Sequence, residues 1–102
     1  MVLLEFSMSP LDKGESLSPY VARILNIIDK SDIIYRLTPM GTIMEGEYEA
    51  VMDVVGQCFK ELQKDCNRIS VNLKIDYRTG KESRLKSKIQ RIENVLGRPI
   101  RK

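Results

Sequence analysis

The sequence predicts an α+β fold, with one antiparallel sheet and helices laid on one of its faces. Three observations lead to it. "VLLEFSM" (2–8) and "RISVNLKIDYR" (68–78) alternate apolar and polar residues with a period of two, as strands do. Segments 18–30 and 47–65 repeat apolar residues at helical spacing. The chain is 102 residues long, which suits one domain with a modest core and much uncovered surface.

In the first strand Val2, Leu4, Phe6 and Met8 face one way and Leu3, Glu5 and Ser7 the other. "SPLDKGES" follows as a loop broken by Pro10 and Gly14. Ser18 reads as the N-cap of the first helix, with Pro19 at its first position. Val21, Ile24, Leu25 and Ile28 form its apolar stripe, and it ends near Lys30. After a short turn, "IIYRLT" (33–38) is a strand rich in branched and aromatic residues. Pro39 has no N–H for a ladder, so pairing lapses there, and "TIME" (42–45) is a short third strand or a continued hairpin.

The second helix runs from about Glu47 to Asp65 on the stripe Val51, Val54, Val55, Cys58 and Leu62, with Asn67 placed to close it. Glu47 and Glu49 occupy its first turn, where carboxylates complement the helix dipole. In the last strand Ile69, Val71, Leu73, Ile75 and Tyr77 oppose Ser70, Asn72, Lys74, Asp76 and Arg78. A third helix starts at Ser83, and Gly97 and Pro99 stop it. Its stripe of Leu85, Ile89, Ile92 and Leu96 is expected to dock on the body. The order βαββαβ is the split βαβ, or ferredoxin-like, pattern with an extra C-terminal helix. Residues 1–96 are expected to form the domain and 97–102 a basic tail.

Charge is unevenly spread. Residues 1–80 carry 9 Lys and Arg against 12 Asp and Glu; residues 81–102 carry 8 against 2. That basic segment is a solvated helix and tail or a phosphate or nucleic-acid surface. Nucleic acid is the weaker reading. The tyrosine nearest the segment, Tyr77, lies on the expected core face, which leaves no aromatic platform for single strands. No apolar run approaches the roughly 20 residues of a membrane span, and the N-terminus lacks a signal-peptide layout. Cys58 and Cys66, about 12 Å apart if both are helical, are too distant for a disulfide and too few for zinc. A cytoplasmic protein with free thiols is expected.

Catalytic chemistry finds little material. There is no histidine, hence no Ser-His or Cys-His pair, and no P-loop or GxGxxG. The "RTGK" turn, with Arg78 and Lys81, is at most a loose anion site. Two features invite a binding function instead. The sheet face away from the helices combines Glu5, Ser7, Asn72, Lys74 and Asp76 with Leu3 and Met44, a mixture suited to self-association around a polar pocket. And "LTPMGTIMEGE" (37–47) places Thr42 beside Gly41, with Glu45 three residues on, where a rigid carboxylate can accept from an amino group or a cation.

With "LLEFSMSPL", "SLSPYVARIL", "YRLTPMGTIMEGE" and "RISVNLKIDYR" in this order and spacing, the chain resembles the small thiamine-binding proteins of about 100 residues, over nearly its whole length. The matching positions are Ser18 and Tyr20; Met40, Gly41, Thr42, Glu45 and Gly46; and Lys74, Asp76 and Arg78. Many members carry a histidine near positions 58 and 59, where this chain has Cys58 and Phe59, and the basic tail is longer than the pattern requires. The resemblance implies a ferredoxin-like fold, a homo-oligomer such as a dimer or tetramer, and non-catalytic binding of thiamine or its pyrimidine half, with no cofactor. Chemically, Thr42 and Glu45 would suit the aminopyrimidine. Glu5 or Asp76, with the face of Tyr20, would suit the cationic thiazolium. The candidate ligand residues are therefore Glu5, Ser7, Ser18, Tyr20, Thr42, Glu45, Lys74 and Asp76. The alternative is a regulatory or protein-interaction oligomer with another small ligand.

Overall fold

The computed structural model describes residues 1–80 and 82–101. Its order is β1 (Val2–Pro10), α1 (Ser18–Lys30), β2 (Ile34–Thr38), β3 (Gly41–Gly46), α2 (Tyr48–Gln63), β4 (Ile69–Tyr77) and α3 (Arg84–Leu96). The four strands form one antiparallel sheet in the order β2-β3-β1-β4, the ferredoxin-like arrangement expected.

Directly opposed residues of an antiparallel pair share a face. Leu4 opposes Met44 and Ile75, and Phe6 opposes Thr42 and Leu73. These residues lie on the helix-covered face, where Val2, Leu4, Phe6, Met8 and Met44 join Ile24 and Ile28 of α1 and all five stripe residues of α2 in the core. Met44 is fully buried there, which corrects its expected place on the open face. The physical reason is register. Its even-numbered alternation along β3 follows Leu4, not Leu3.

Two further expectations are corrected. Ser18 is the first residue of α1 and makes no capping bond; Leu17 is the N-cap, and its carbonyl accepts from the Tyr20 and Val21 N–H groups. Asn67 does not close α2, which ends at Gln63; its N–H donates to Asp12 Oδ2 at 2.8 Å.

The third helix departs most from expectation. None of its residues is buried, and Ile92 and Leu96 are 43% and 49% exposed. Among the described residues, its hydrogen bonds to the sheet come from its N-cap and first turn. The radius of gyration, 15.3 Å, exceeds the roughly 13 Å of a compact chain of this length. β4 is an edge strand, and its apolar face is only half covered, with Tyr77 65% exposed.

Candidate functional site at the β2–β3 hairpin

β2 and β3 are joined by a two-residue turn, Pro39 and Met40, where pairing lapses as Pro39 requires. Thr38 Oγ1 staples the turn: it donates to the Gly41 carbonyl at 2.9 Å and accepts the Met40 N–H at 3.2 Å. The hairpin also closes tightly on β1. A Cβ at Gly41 would lie 2.8 Å from the Phe6 carbonyl oxygen, so glycine is needed for that approach.

Under this hairpin, between the sheet and the start of α1, is a cavity of about 240 Å³. Its apolar walls come from Phe6, Met8, Leu17, Val21, Ile24, Leu37 and Met40, and Ser7, Ser9, Thr38 and Thr42 also line it. Thr42 is only 6% exposed, and its hydroxyl forms no hydrogen bond among the described residues. That oxygen is not sealed off: it opens onto the cavity, where a ligand or water can satisfy it. Among the described residues, no carboxylate lines this space.

The other expected ligand residues do not converge on it. Thr42 and Glu45 were expected to meet one ring, but an odd separation along a strand puts them on opposite faces: Thr42 opposes Phe6, Glu45 opposes Leu3. Glu45 is 3% exposed and committed elsewhere. Its carboxylate accepts from Ser83 Oγ at 2.5 Å and the Arg84 N–H at 2.6 Å, with the Leu85 N–H at 3.3 Å. Glu45 thus caps the N-terminus of α3.

Glu5 and Lys74 oppose one another on the open face and line a shallow hollow of about 190 Å³ with Ser7, Met40 and Asn72. Ser7, Phe6 and Met40 border both this hollow and the hairpin cavity. Asp76 lies farther along the same face, paired with Arg84 at 2.9 Å. Ser18 is exposed on α1. Tyr20 already faces a cation, since the Arg23 guanidinium lies 5.6 Å from its ring centre. Arg23 is held in turn by Asp65 and Glu61, and these hydrogen bonds raise its pKa.

Several groups escaped sequence reasoning. Ser9, Leu17 and Thr38 reach the cavity from three elements that only the topology brings together. The α3 cap did leave a signal: its first turn contains no acidic residue, so the positive end of its dipole needs an anion from elsewhere. Lys81 of the "RTGK" turn lies outside the described residues. Burial pushes the Cys58 thiol up to about 11, so it is not a nucleophile near neutral pH.

A family model described as thiamine-binding protein matches residues 4–93. The chain belongs to the thiamine-binding protein family. Among its relatives, a UPF0045 protein of Methanocaldococcus jannaschii is 32% identical over 89% of this chain and 91% of its own length. The UPF0045 protein YqgV of Bacillus subtilis is 33% identical over 94% of this chain and 98% of its own. A crystal structure of the M. jannaschii protein superposes with a TM-score of 0.82, covering 89% of this chain and 94% of that one. A Thermotoga maritima structure, described as a candidate thiamine biosynthesis/salvage protein, gives 0.78 at 25% identity, covering 89% of this chain and 97% of the other. Among the described residues, no helix is long and apolar enough to cross a membrane, and no group of three or more His, Cys, Asp or Glu is placed to hold a metal.

Proposed function

We propose that this protein binds thiamine or its pyrimidine half without catalysis, as a carrier, buffer or salvage helper, with the pyrimidine held in the hairpin cavity. The observation that carries this reading is Thr42: a residue only 6% exposed whose hydroxyl, without a hydrogen bond among the described residues, opens onto a mostly apolar cavity, in a chain of the thiamine-binding family. The volume of about 240 Å³ falls just below the range of roughly 300–1,000 Å³ usual for small-molecule sites, and so suits one ring better than two. The hydroxyl can both donate to a ring nitrogen and accept from an exocyclic amine. Thiamine is here a ligand, not a cofactor.

Self-association belongs to the same reading. The uncovered stripe of α3 and the half-covered apolar face of β4 are surfaces that a second copy would bury. The setting we infer is cytoplasmic, in keeping with the two free cysteines.

Isothermal titration with thiamine and hydroxymethylpyrimidine tests the site. Both should bind, and Thr42→Val, which removes the hydroxyl at nearly constant volume, should cost about 1 kcal/mol, or roughly fivefold in affinity. No heat with either ligand would reject the assignment. It would favour a regulatory oligomer with another ligand.

A further inference from the structure

The open face ends in a second cavity whose character is opposite to that of the first. Arg84, Ser87, Lys88 and Arg91 follow one another at i, i+3, i+4 and i+7, so they share one face of α3. That face looks across a cleft of about 300 Å³ at Leu3, Asp76 and Arg78, the ends of β1 and β4. Four cations therefore line the cleft, and Asp76 is its one carboxylate among the described residues.

The internal pairs leave this charge incompletely compensated. Arg84 and Asp76 meet at 2.9 Å, but the contact is not aligned as a hydrogen bond, and Arg84 Nη1 is a buried donor without an acceptor. Arg78 lies at 3.9 Å from the same carboxylate. Arg91 reaches Glu82 at 3.6 Å, with both side chains about 70% exposed, a pair that contributes little. Lys88 has no ion pair among the described residues. Gathering like charges around a low-dielectric wall such as Leu3 is unfavourable unless an anion enters, and such a cleft focuses its field on one.

We propose that this cleft is a binding site for a phosphate-bearing small molecule, separate from the hairpin cavity. The donor set fits. Arginine forks match phosphate oxygens, Lys88 supplies a point charge, and Ser87 supplies a hydroxyl. The site is shared between the sheet and α3, so an anion here also ties the helix to the body. This assignment does not depend on thiamine binding.

The test is titration with inorganic phosphate, pyrophosphate and glycerol phosphate, at constant ionic strength. The first two separate a free-anion site from one that requires an ester. Pyrophosphate, with the most charge, should bind most tightly, and Lys88→Ala/Arg91→Ala should weaken it by about tenfold or more. Both side chains are exposed, and circular dichroism checks that the variant folds. Thr42→Val should leave pyrophosphate binding unchanged, which separates this site from the first. Failure of all three phosphates to bind the wild type, or equal pyrophosphate affinity in the double variant, overturns the proposal. Binding of duplex DNA with no binding of the small phosphates also overturns it, in favour of a nucleic-acid surface.

Discussion

Glu45 holds α3 to the body, and its removal should free the helix without unfolding the sheet. Its carboxylate accepts two short bonds, from Ser83 Oγ at 2.5 Å and the Arg84 N–H at 2.6 Å, and a longer one from the Leu85 N–H at 3.3 Å. Bonds to a charged acceptor contribute about 1.5–3 kcal/mol each, but the donors freed at a half-exposed helix end recover water. The loss from Glu45→Ala therefore falls nearer that of a strong N-cap, about 2 kcal/mol. The remaining ties, the Arg84–Asp76 ion pair at 2.9 Å and the Arg84 Nη2 bond to the Asp76 carbonyl at 2.6 Å, hang on one side chain and leave the first N–H groups of the helix without an acceptor. A helix of 13 residues is marginal when detached, so undocking and unwinding should occur together.

Amide hydrogen exchange measures this directly. About 2 kcal/mol corresponds to roughly 30-fold faster exchange across α3, with β1 and α2 unchanged. Glu45→Gln keeps an acceptor but loses the charge, and should fall between wild type and Glu45→Ala. Unchanged α3 exchange in Glu45→Ala would refute the capping argument. Equal acceleration in β1 would show that Glu45 supports the sheet instead.

Three other outcomes follow from particular contacts. Cys58, fully buried with its thiol pushed up to about 11, should resist thiol reagents at neutral pH in the native protein and react on denaturation; rapid native labelling would contradict its burial. If the α3 stripe forms part of the interface between copies, Ile92→Asp should shift light scattering toward the 11.7 kDa monomer, while unchanged mass would move the interface elsewhere, for instance to β4. Glu5→Gln should weaken thiamine by about two- to fivefold, the range of an exposed charge pair, and leave hydroxymethylpyrimidine unaffected. Equal losses for both ligands would mean that Glu5 does not face the thiazolium.

The elements were legible because their periodicities are unambiguous. Val2, Leu4, Phe6 and Met8 alternate as a strand must, and the α2 stripe lies buried residue for residue. The site was legible only in part. Proximity of Thr42 and Glu45 in sequence suggested a shared ligand, but strand parity separates them, and reading "TIME" as a strand already implied that separation. The same parity returned Met44 to the core. The α3 stripe was read correctly as a stripe; its period says which face is apolar, not what covers it. The cavity itself was invisible, because Leu17, Thr38 and Ser9 are distant in sequence and meet only when the sheet closes.

The charge distribution then restricts how a two-ring cation can lie. Among the described residues, the hairpin cavity has hydroxyls and apolar walls but no carboxylate, which suits a neutral aminopyrimidine and disfavours a buried thiazolium. The cleft beside α3 is basic and repels a cation. Between them lies the hollow of Glu5 and Lys74, which shares Phe6, Ser7 and Met40 with the cavity. Met40, 86% exposed at the hairpin tip, is an unbranched side chain that can swing between the two spaces. On the proposed reading, the pyrimidine enters beneath the hairpin and the thiazolium remains at the surface, toward Glu5, where water still screens it. A cation held this way adds little affinity, so the pyrimidine half should bind nearly as well as the whole molecule. A much tighter grip on thiamine than on hydroxymethylpyrimidine would require a second source of negative charge, such as a neighbouring copy.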